Sequence, residues 1–154
     1  MRRFFIRCLC ALLAPPTAWW VRLHEQRIRR ELTPEESALA EQVGVHATDQ
    51  IRILVVETVP MPGPRWIHRL AQRLSLPAMK AVGMSLGHGV YLQRGFEHRI
   101  KILVHECVHT AHYERHGISG FLRRYLPHCL EDGHINAELE REAVRLSEQA
   151  CASL

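Results

Sequence analysis

The sequence lacks the cysteine pattern of a domain held together by disulfides. Its five cysteines are an odd number, and no two of them form a CxxC pair. A disulfide framework needs an even set of cysteines, and a cysteine-ligated zinc site needs closely spaced thiols. The chain must therefore rely on an ordinary hydrophobic core, for which 154 residues are sufficient. Cys107 is predicted to be a small buried residue of that core.

The sequence also lacks the features of a nucleic-acid-binding protein. Its net charge is +4, but the arginines are dispersed and no basic run alternates with aromatic residues. This distribution offers no continuous surface for a phosphate backbone, so we expect no nucleic-acid partner. Neither an internal repeat nor a low-complexity tract is present, and a single folded domain is expected over residues 33–154.

Residues 1–32 form a separate segment that is apolar and then basic. An apolar run from Phe4 to Ala14 is interrupted only by Arg7. No clean A-x-A cleavage site follows it, and the run is too short for a typical membrane span. The segment is compatible with a signal peptide, an interfacial membrane anchor or a helix packed on the domain. Contact with a membrane is preferred, which favours membrane association or export over a cytoplasmic location.

The most informative motif is His105-Glu106-Cys107-Val108-His109, which has the pattern HExxH. Four residues of helix turn the chain by about 400° and advance it by about 6 Å, so both imidazoles can reach one metal ion. Glu106 lies about 100° around the helix, where its carboxylate can contact a water molecule on that metal. The motif predicts a zinc-dependent hydrolase with two histidine ligands and Glu106 as the general base.

Residues 98–116 have the two faces expected of a helix that carries this motif. Apolar residues and histidines separate onto different arcs of a helical wheel, and Gly117 is predicted to end the helix. The histidine arc contains His98, His105, His109, His112 and His116. A solvated, histidine-rich face without a metal is the alternative interpretation of this pattern.

A catalytic zinc site needs a third protein ligand besides His105 and His109. A metzincin would have glycine and histidine at the positions of His112 and Arg115, so that class is excluded. A straight helix places His112 about 10 Å from His105 along its axis, too far to share the ion. His112 and His116 are therefore predicted to be exposed or near the mouth of the site.

The last predicted helix, residues 137–150, supplies a better third ligand. Glu140 is its only charged residue on the apolar arc of the helical wheel. A carboxylate there is costly to bury unless it is paired or bound to a metal, so Glu140 is the predicted ligand. Glu142, at the edge of the arc, is the alternative ligand. A simple pair between Glu140 and a buried histidine is the alternative without a metal.

These residues resemble the gluzincin class of zinc metallopeptidases, in which HExxH is followed by a glutamate on a downstream helix. The sequence LEREA at residues 139–143 is similar to the E-x-E-A segment of membrane-associated CaaX-type and heat-shock-type metalloproteases. In that pattern the first glutamate binds zinc, and it matches Glu140. The sequence YER at residues 113–115 resembles that of small, single-domain, minigluzincin-like bacterial proteins of unknown function. The likeness covers roughly residues 50–150.

The motif and the resemblance together imply hydrolysis of peptide bonds. Zinc would be held by His105, His109 and Glu140, with Glu106 as the base, and the partner would be a protein or peptide substrate. One alternative is a catalytically weak zinc-binding module with a regulatory or interaction role. A second alternative is a metal-free protein at a membrane surface.

Two further parts of a peptidase site have only broad candidates. Tyr113, Tyr125 and His134 are candidates for stabilising the oxyanion, and the sequence does not rank them. The resemblance implies that an edge strand binds extended substrate through its backbone, and residues 89–92 fit this role. Simple core structure is the alternative for that strand.

The expected fold is a small zincin-like α+β domain. A short, mainly antiparallel sheet should pack on the HExxH helix, followed by a C-terminal helix that carries Glu140. Thr33 followed by Pro34 predicts the start of a helix that ends near Val43. The other predicted elements are strands at residues 51–59, 78–84 and 89–93, a turn at 60–64, and helices at 66–74 and 121–126, the last one stopped by Pro127.

Overall fold

The structure, a computed structural model, describes residues 30–59, 69, 81–131 and 136–152. These ranges contain three helices and one three-stranded sheet, which confirms the α+β fold class. The elements are α1 (Pro34–Gln42), β1 (Arg52–Val56), β2 (Gly83–Leu86), β3 (Gly89–Gln93), α2 (Ile100–Glu131) and α3 (Glu138–Cys151), with a single 3₁₀ turn at Thr48–Gln50.

Several predicted features lie outside the described residues. They are residues 1–29, the turn at 60–64, His134 and all but one residue of the helix at 66–74. Within the described ranges, none of the helices combines the length and the apolar character needed to cross a bilayer.

Helix α1 begins with the cap that the sequence predicts. The side chain of Thr33 accepts a hydrogen bond from the backbone N–H of Glu36, and the carboxylate of Glu36 accepts one from the backbone N–H of Thr33. This reciprocal pair satisfies two N–H groups that have no partner within the helix, and Pro34 fixes the first helical residue. The helix ends at Gln42, and Val43 is its C-cap.

The sheet has the order β1-β3-β2 and is mixed. Strands β2 and β3 form an antiparallel hairpin with Gly87 and His88 as its turn, and the φ of 64° at Gly87 favours glycine. Strand β1 pairs with β3 in parallel, so the antiparallel pairing predicted for the sheet holds for the hairpin and not for β1. The connection from β1 to β3, residues 57–88, contains β2 and is long enough for the crossover that parallel strands need.

Two strand boundaries differ from the prediction. Strand β2 starts at Gly83 and reaches Leu86, later than the predicted 78–84, because the tight turn needs only two residues between the strands. Strand β1 stops at Val56 and does not reach residue 59. Its partner β3 ends at Gln93, and the N–H of Arg94 makes the last backbone bond, to the carbonyl of Val56.

Helix α2 contains a break at Gly117, where φ is 66° and ψ is 160°. Gly117 therefore ends the first half of α2 as predicted, in a conformation that favours glycine. The second half differs from the predicted short helix, since it continues through Pro127 to Glu131. Pro127 removes one helical hydrogen bond, yet the helix continues for four residues beyond it.

The main core lies between the sheet and the first half of α2, with α1 and α3 completing it. The apolar arc predicted for α2 is buried, and Cys107 is only 1% exposed. Burial raises the pKa of the Cys107 thiol to about 12, so this side chain is a small protonated hydrophobe. The core packing fixes which face of α2 its histidines occupy. The buried residues that α2 contributes are Leu103, Val104, Cys107, Val108 and Ala111.

Glu114 connects α2 to two loops. Its carboxylate accepts hydrogen bonds from the backbone N–H groups of His46 and Ala47 at 2.7 and 3.0 Å, and contacts His88 Nε2 at 3.0 Å. Burial alone would raise the pKa of Glu114, but these hydrogen bonds outweigh it and lower the pKa. The ionised carboxylate therefore holds the loop after α1 and the β2–β3 turn against α2.

We expect Glu114→Ala to lower the free energy of unfolding by about 2–3 kcal/mol at pH 7, because hydrogen bonds to a charged group contribute about 1.5–3 kcal/mol each. The pKa of a glutamate is about 4.3 in the unfolded chain, and a lower pKa in the folded state means that the ionised carboxylate stabilises the fold above that pH. This stabilisation is lost as the pH falls from 4.3 through the folded-state pKa, since about 4.3 is the unfolded value. The difference from wild type should thus shrink in acid. Urea unfolding at pH 7 and at about pH 3, which is more than one unit below the unfolded pKa, measures both effects. The exposed Glu148→Ala is the control, and equal stability of the two variants would contradict the prediction.

Candidate metal centre

His105 and His109 lie one helical turn apart on the first half of α2. Their ring centroids are 4.9 Å apart, and the rings are nearly perpendicular, at 81°. The side chain of His109 is buried, whereas that of His105 is 20% exposed. The buried stripe of α2 faces the core, so the spacing of four residues brings both rings to the side that faces α3.

Glu140 comes from the first turn of α3 and lies between the two rings. Its Oε1 is 3.1 Å from His105 Nε2, and its Oε2 is 3.3 Å from His109 Nε2. Helix α3 begins after Ala137, which has no side-chain cap, and a carboxylate in the first turn is favoured by the helix dipole. As the wheel predicts, Glu140 points inward, and it is only 5% exposed.

The three side chains fit a metal ion in donor type and spacing. One ligand atom from each of His105, His109 and Glu140 lies within 4.8 Å of the others. Bonds of about 2.0–2.1 Å in tetrahedral zinc place neighbouring ligand atoms about 3.3 Å apart, close to the two histidine–carboxylate distances above. Among the described residues, no other group of three or more histidine, cysteine or acidic side chains has this proximity.

The electrostatics of this cluster favour a positive charge at its centre. Burial acts to raise the pKa of Glu140, but hydrogen bonds from His105 and His109 outweigh it and hold that pKa well below its usual range. Burial acts to lower the pKa of His105, and the nearby carboxylates Glu140 and Glu106 raise it instead. An ionised Glu140 thus stabilises either a proton on an imidazole or a cation held by all three groups.

Glu106 is buried beside the cluster, between α2 and β2, and is 6% exposed. Burial raises the pKa of its carboxyl above the usual value, although both histidines and the backbone of Ser85 act in the opposite direction. A carboxyl whose pKa is raised accepts protons more readily near neutral pH. Glu106 has the burial and the pKa direction that a general base requires.

Glu142, the alternative third ligand, lies apart from this cluster. Its Oε2 is 3.1 Å from His112 Nε2, and its Oε1 is 3.7 Å from Arg115. Of the two positions predicted for His112, exposed or near the mouth of the site, the exposed one is wrong. Its side chain is fully buried beneath α3, and its ring stacks on that of Phe121 with the centroids 6.1 Å apart. Burial and the neighbouring His109 lower the pKa of His112 to about 4, so its ring is neutral.

The two described tyrosine candidates have different contacts. Tyr125 donates a hydrogen bond to Glu140 Oε2 at 3.1 Å, because the break at Gly117 turns the second half of α2 back towards α3. Tyr113 is buried and donates to the carbonyl of Ser85 at 3.2 Å. Tyr125 is therefore the described candidate that reaches the cluster of His105, His109 and Glu140. Its contact with Glu140 has no signal in the sequence, since it depends on the path of the chain after Gly117.

The strand predicted to bind substrate is not at an edge. Strand β3, residues Gly89–Gln93, is the central strand and pairs on both sides, so it has no free backbone for strand addition. Strand β2 is the outer strand next to α2, and Glu106 lies against it at Gly83. The sequence of a hairpin does not reveal which of its two strands pairs with a third strand. Here β3, and not β2, pairs with the third strand, β1.

Comparison with known proteins found no matching family model, no similar curated protein and no similar solved structure. The gluzincin resemblance therefore stays a prediction from the motifs.

Proposed function

We propose that this protein is a zinc-dependent metallopeptidase. The observation that carries the proposal is the convergence of His105, His109 and Glu140 from two helices, with Glu106 buried beside them. Two imidazoles and one carboxylate are a common ligand set of catalytic zinc, which keeps its fourth position for water or substrate. The HExxH spacing and the downstream glutamate follow the gluzincin pattern.

The roles of the residues follow from their positions. A zinc ion held by His105, His109 and Glu140 would supply Lewis acidity and favour ionisation of water near neutral pH. Glu106 would accept a proton from the attacking water at a carboxylate oxygen and then return it to the departing amine nitrogen. Tyr125 orients Glu140 through its hydroxyl, which holds the carboxylate between the two rings.

A protein or peptide is the proposed substrate. The HExxH general base and the gluzincin resemblance favour an amide bond as the reacting group. Membrane association or export through residues 1–32 remains part of the proposal, on the apolar and basic sequence of that segment.

We expect purified protein to bind a single zinc ion per chain through this cluster. Metal analysis after dialysis, followed by titration with zinc, measures the stoichiometry. Hydrolysis of a mixture of quenched fluorescent peptides should stop when the metal is removed with a chelator and return when zinc is added. His98→Ala is the control, because its side chain is 91% exposed and lies outside the cluster. Absence of stoichiometric zinc would reject the proposal.

A further inference from the structure

Gly83 in β2 occupies a position where its backbone does not require glycine. The glycines with left-handed φ values in the described residues are Gly44, Gly87, Gly95 and Gly117, and Gly83 is not among them. A glycine in a strand is a disadvantage, since it has no side chain to pack and costs more conformational entropy on folding. The reason for glycine at this position therefore has to be sought in its surroundings.

The surroundings of Gly83 leave no room for a side chain. A Cβ atom placed on it would lie 2.8 Å from Glu106 Oε1, 2.9 Å from Ile102 Cγ2 and 3.1 Å from Glu106 Cγ. Two of these atoms belong to the carboxylate side chain that the proposed reaction uses as its base. The space that a methyl group would fill at Gly83 is thus occupied by Glu106.

Strand β2 is also attached to α2 on the other side of Glu106. The backbone N–H of Ser85 lies close enough to the Glu106 carboxylate to lower its pKa. The carbonyl of Ser85 accepts a hydrogen bond from the buried Tyr113 hydroxyl at 3.2 Å. With these contacts and the pairing to β3, β2 cannot easily move away from α2. An added methyl group at Gly83 would consequently displace the Glu106 side chain rather than the strand.

We propose that Gly83 is a positioning residue for the general base Glu106. Its lack of a side chain leaves the space in which the carboxylate lies beside the cluster of His105, His109 and Glu140, where it can accept a proton from the attacking water. This inference rests on the proposed peptidase function. It adds that a side chain at residue 83 prevents Glu106 from acting as the base even when all three metal ligands are present.

The test compares Gly83→Ala with Glu106→Gln and with Gly120→Ala. Gly120 is a matched control, because a Cβ there would meet only His116 Cβ at 3.4 Å. We expect Gly83→Ala to bind zinc as wild type does but to lose about 100-fold in kcat, as expected when a catalytic group is displaced by about 1 Å. KM should change little, and Gly120→Ala should keep the wild-type kcat.

A second measurement does not depend on peptide hydrolysis. In the cobalt-substituted protein, the visible spectrum reports the binding of acetohydroxamate, which ligates the metal and needs a neighbouring carboxylate to accept its proton. Gly83→Ala and Glu106→Gln should both weaken this binding by at least about tenfold, the contribution of one hydrogen bond to a charged group. Gly120→Ala should bind acetohydroxamate as wild type does.

The double variant Gly83→Ala/Ile102→Ala covers the case in which Gly83→Ala does not fold. It removes the contact with Ile102 Cγ2 and leaves only the contact with Glu106, so a packing defect should be relieved while the loss of kcat and of acetohydroxamate binding persists. Recovery of wild-type values in the double variant would overturn the inference. So would acetohydroxamate binding by Gly83→Ala equal to that of Gly120→Ala. If the metal-loaded wild type hydrolyses no peptide, the proposed function fails, and the acetohydroxamate comparison still decides the role of Gly83.

Discussion

Exchange of Glu106 for Gln is expected to lower kcat for peptide hydrolysis by about 10²–10⁴-fold, the usual contribution of a general base. Glutamine has nearly the same shape as glutamate, but its amide cannot accept a proton from the attacking water. The zinc affinity should remain that of wild type, because Glu106 is not one of the three clustered ligands. Steady-state kinetics and competition with a zinc chelator measure the two quantities on the same preparation.

Glu148→Gln is the matched control for this experiment. Glu148 also pairs with a cation, Lys101 at 2.9 Å, but its side chain is 57% exposed and lies away from the cluster. Its exchange should leave kcat and zinc affinity unchanged. If Glu106→Gln instead keeps full activity in whatever assay the wild type satisfies, the protein is better described by the alternative of a zinc-binding regulatory or interaction module.

The part of the site that lies on one helix could be predicted from the sequence. The positions of His105 and His109 relative to each other depend only on the 3.6-residue period, and a buried apolar stripe fixes the face on which they lie. The inward direction of Glu140 follows from the same period in α3, since its neighbours Leu139 and Ala143 are apolar. These relations are local, so the structure of the rest of the chain did not have to be known.

Contacts between side chains of different helices and strands could not be predicted in this way. His112 follows the same helical period as His109, yet it is buried because α3 crosses over it and Glu142 bonds to its ring. The contact between Tyr125 and Glu140 depends on the direction that the chain takes after Gly117. A glycine inside a strand is a general signal of a close approach, but no sequence pattern indicates that Glu106 is the group that approaches Gly83.

The two glutamates of α3 give the second prediction with a large effect. We expect Glu140→Ala to weaken zinc binding by more than about 100-fold, which exceeds what groups outside the ligand set usually contribute. Both carboxylate oxygens of Glu140 face the histidine Nε2 atoms, so its removal takes away a ligand and the group that orients both rings. Isothermal titration with zinc, with a competing chelator where binding is tight, measures the loss.

Glu142→Ala should affect the stability of the fold, whereas Glu140→Ala should affect zinc binding. The zinc affinity of Glu142→Ala should stay near that of wild type, whereas its free energy of unfolding should fall by about 1–3 kcal/mol, because the fully buried His112 loses the partner of its Nε2 atom. The two substitutions lie two residues apart on one helix and remove the same chemical group. A shared loss of helix stability therefore cannot explain a difference between them in zinc affinity. If zinc affinity falls in Glu142→Ala and not in Glu140→Ala, the ligand set is different from the one proposed.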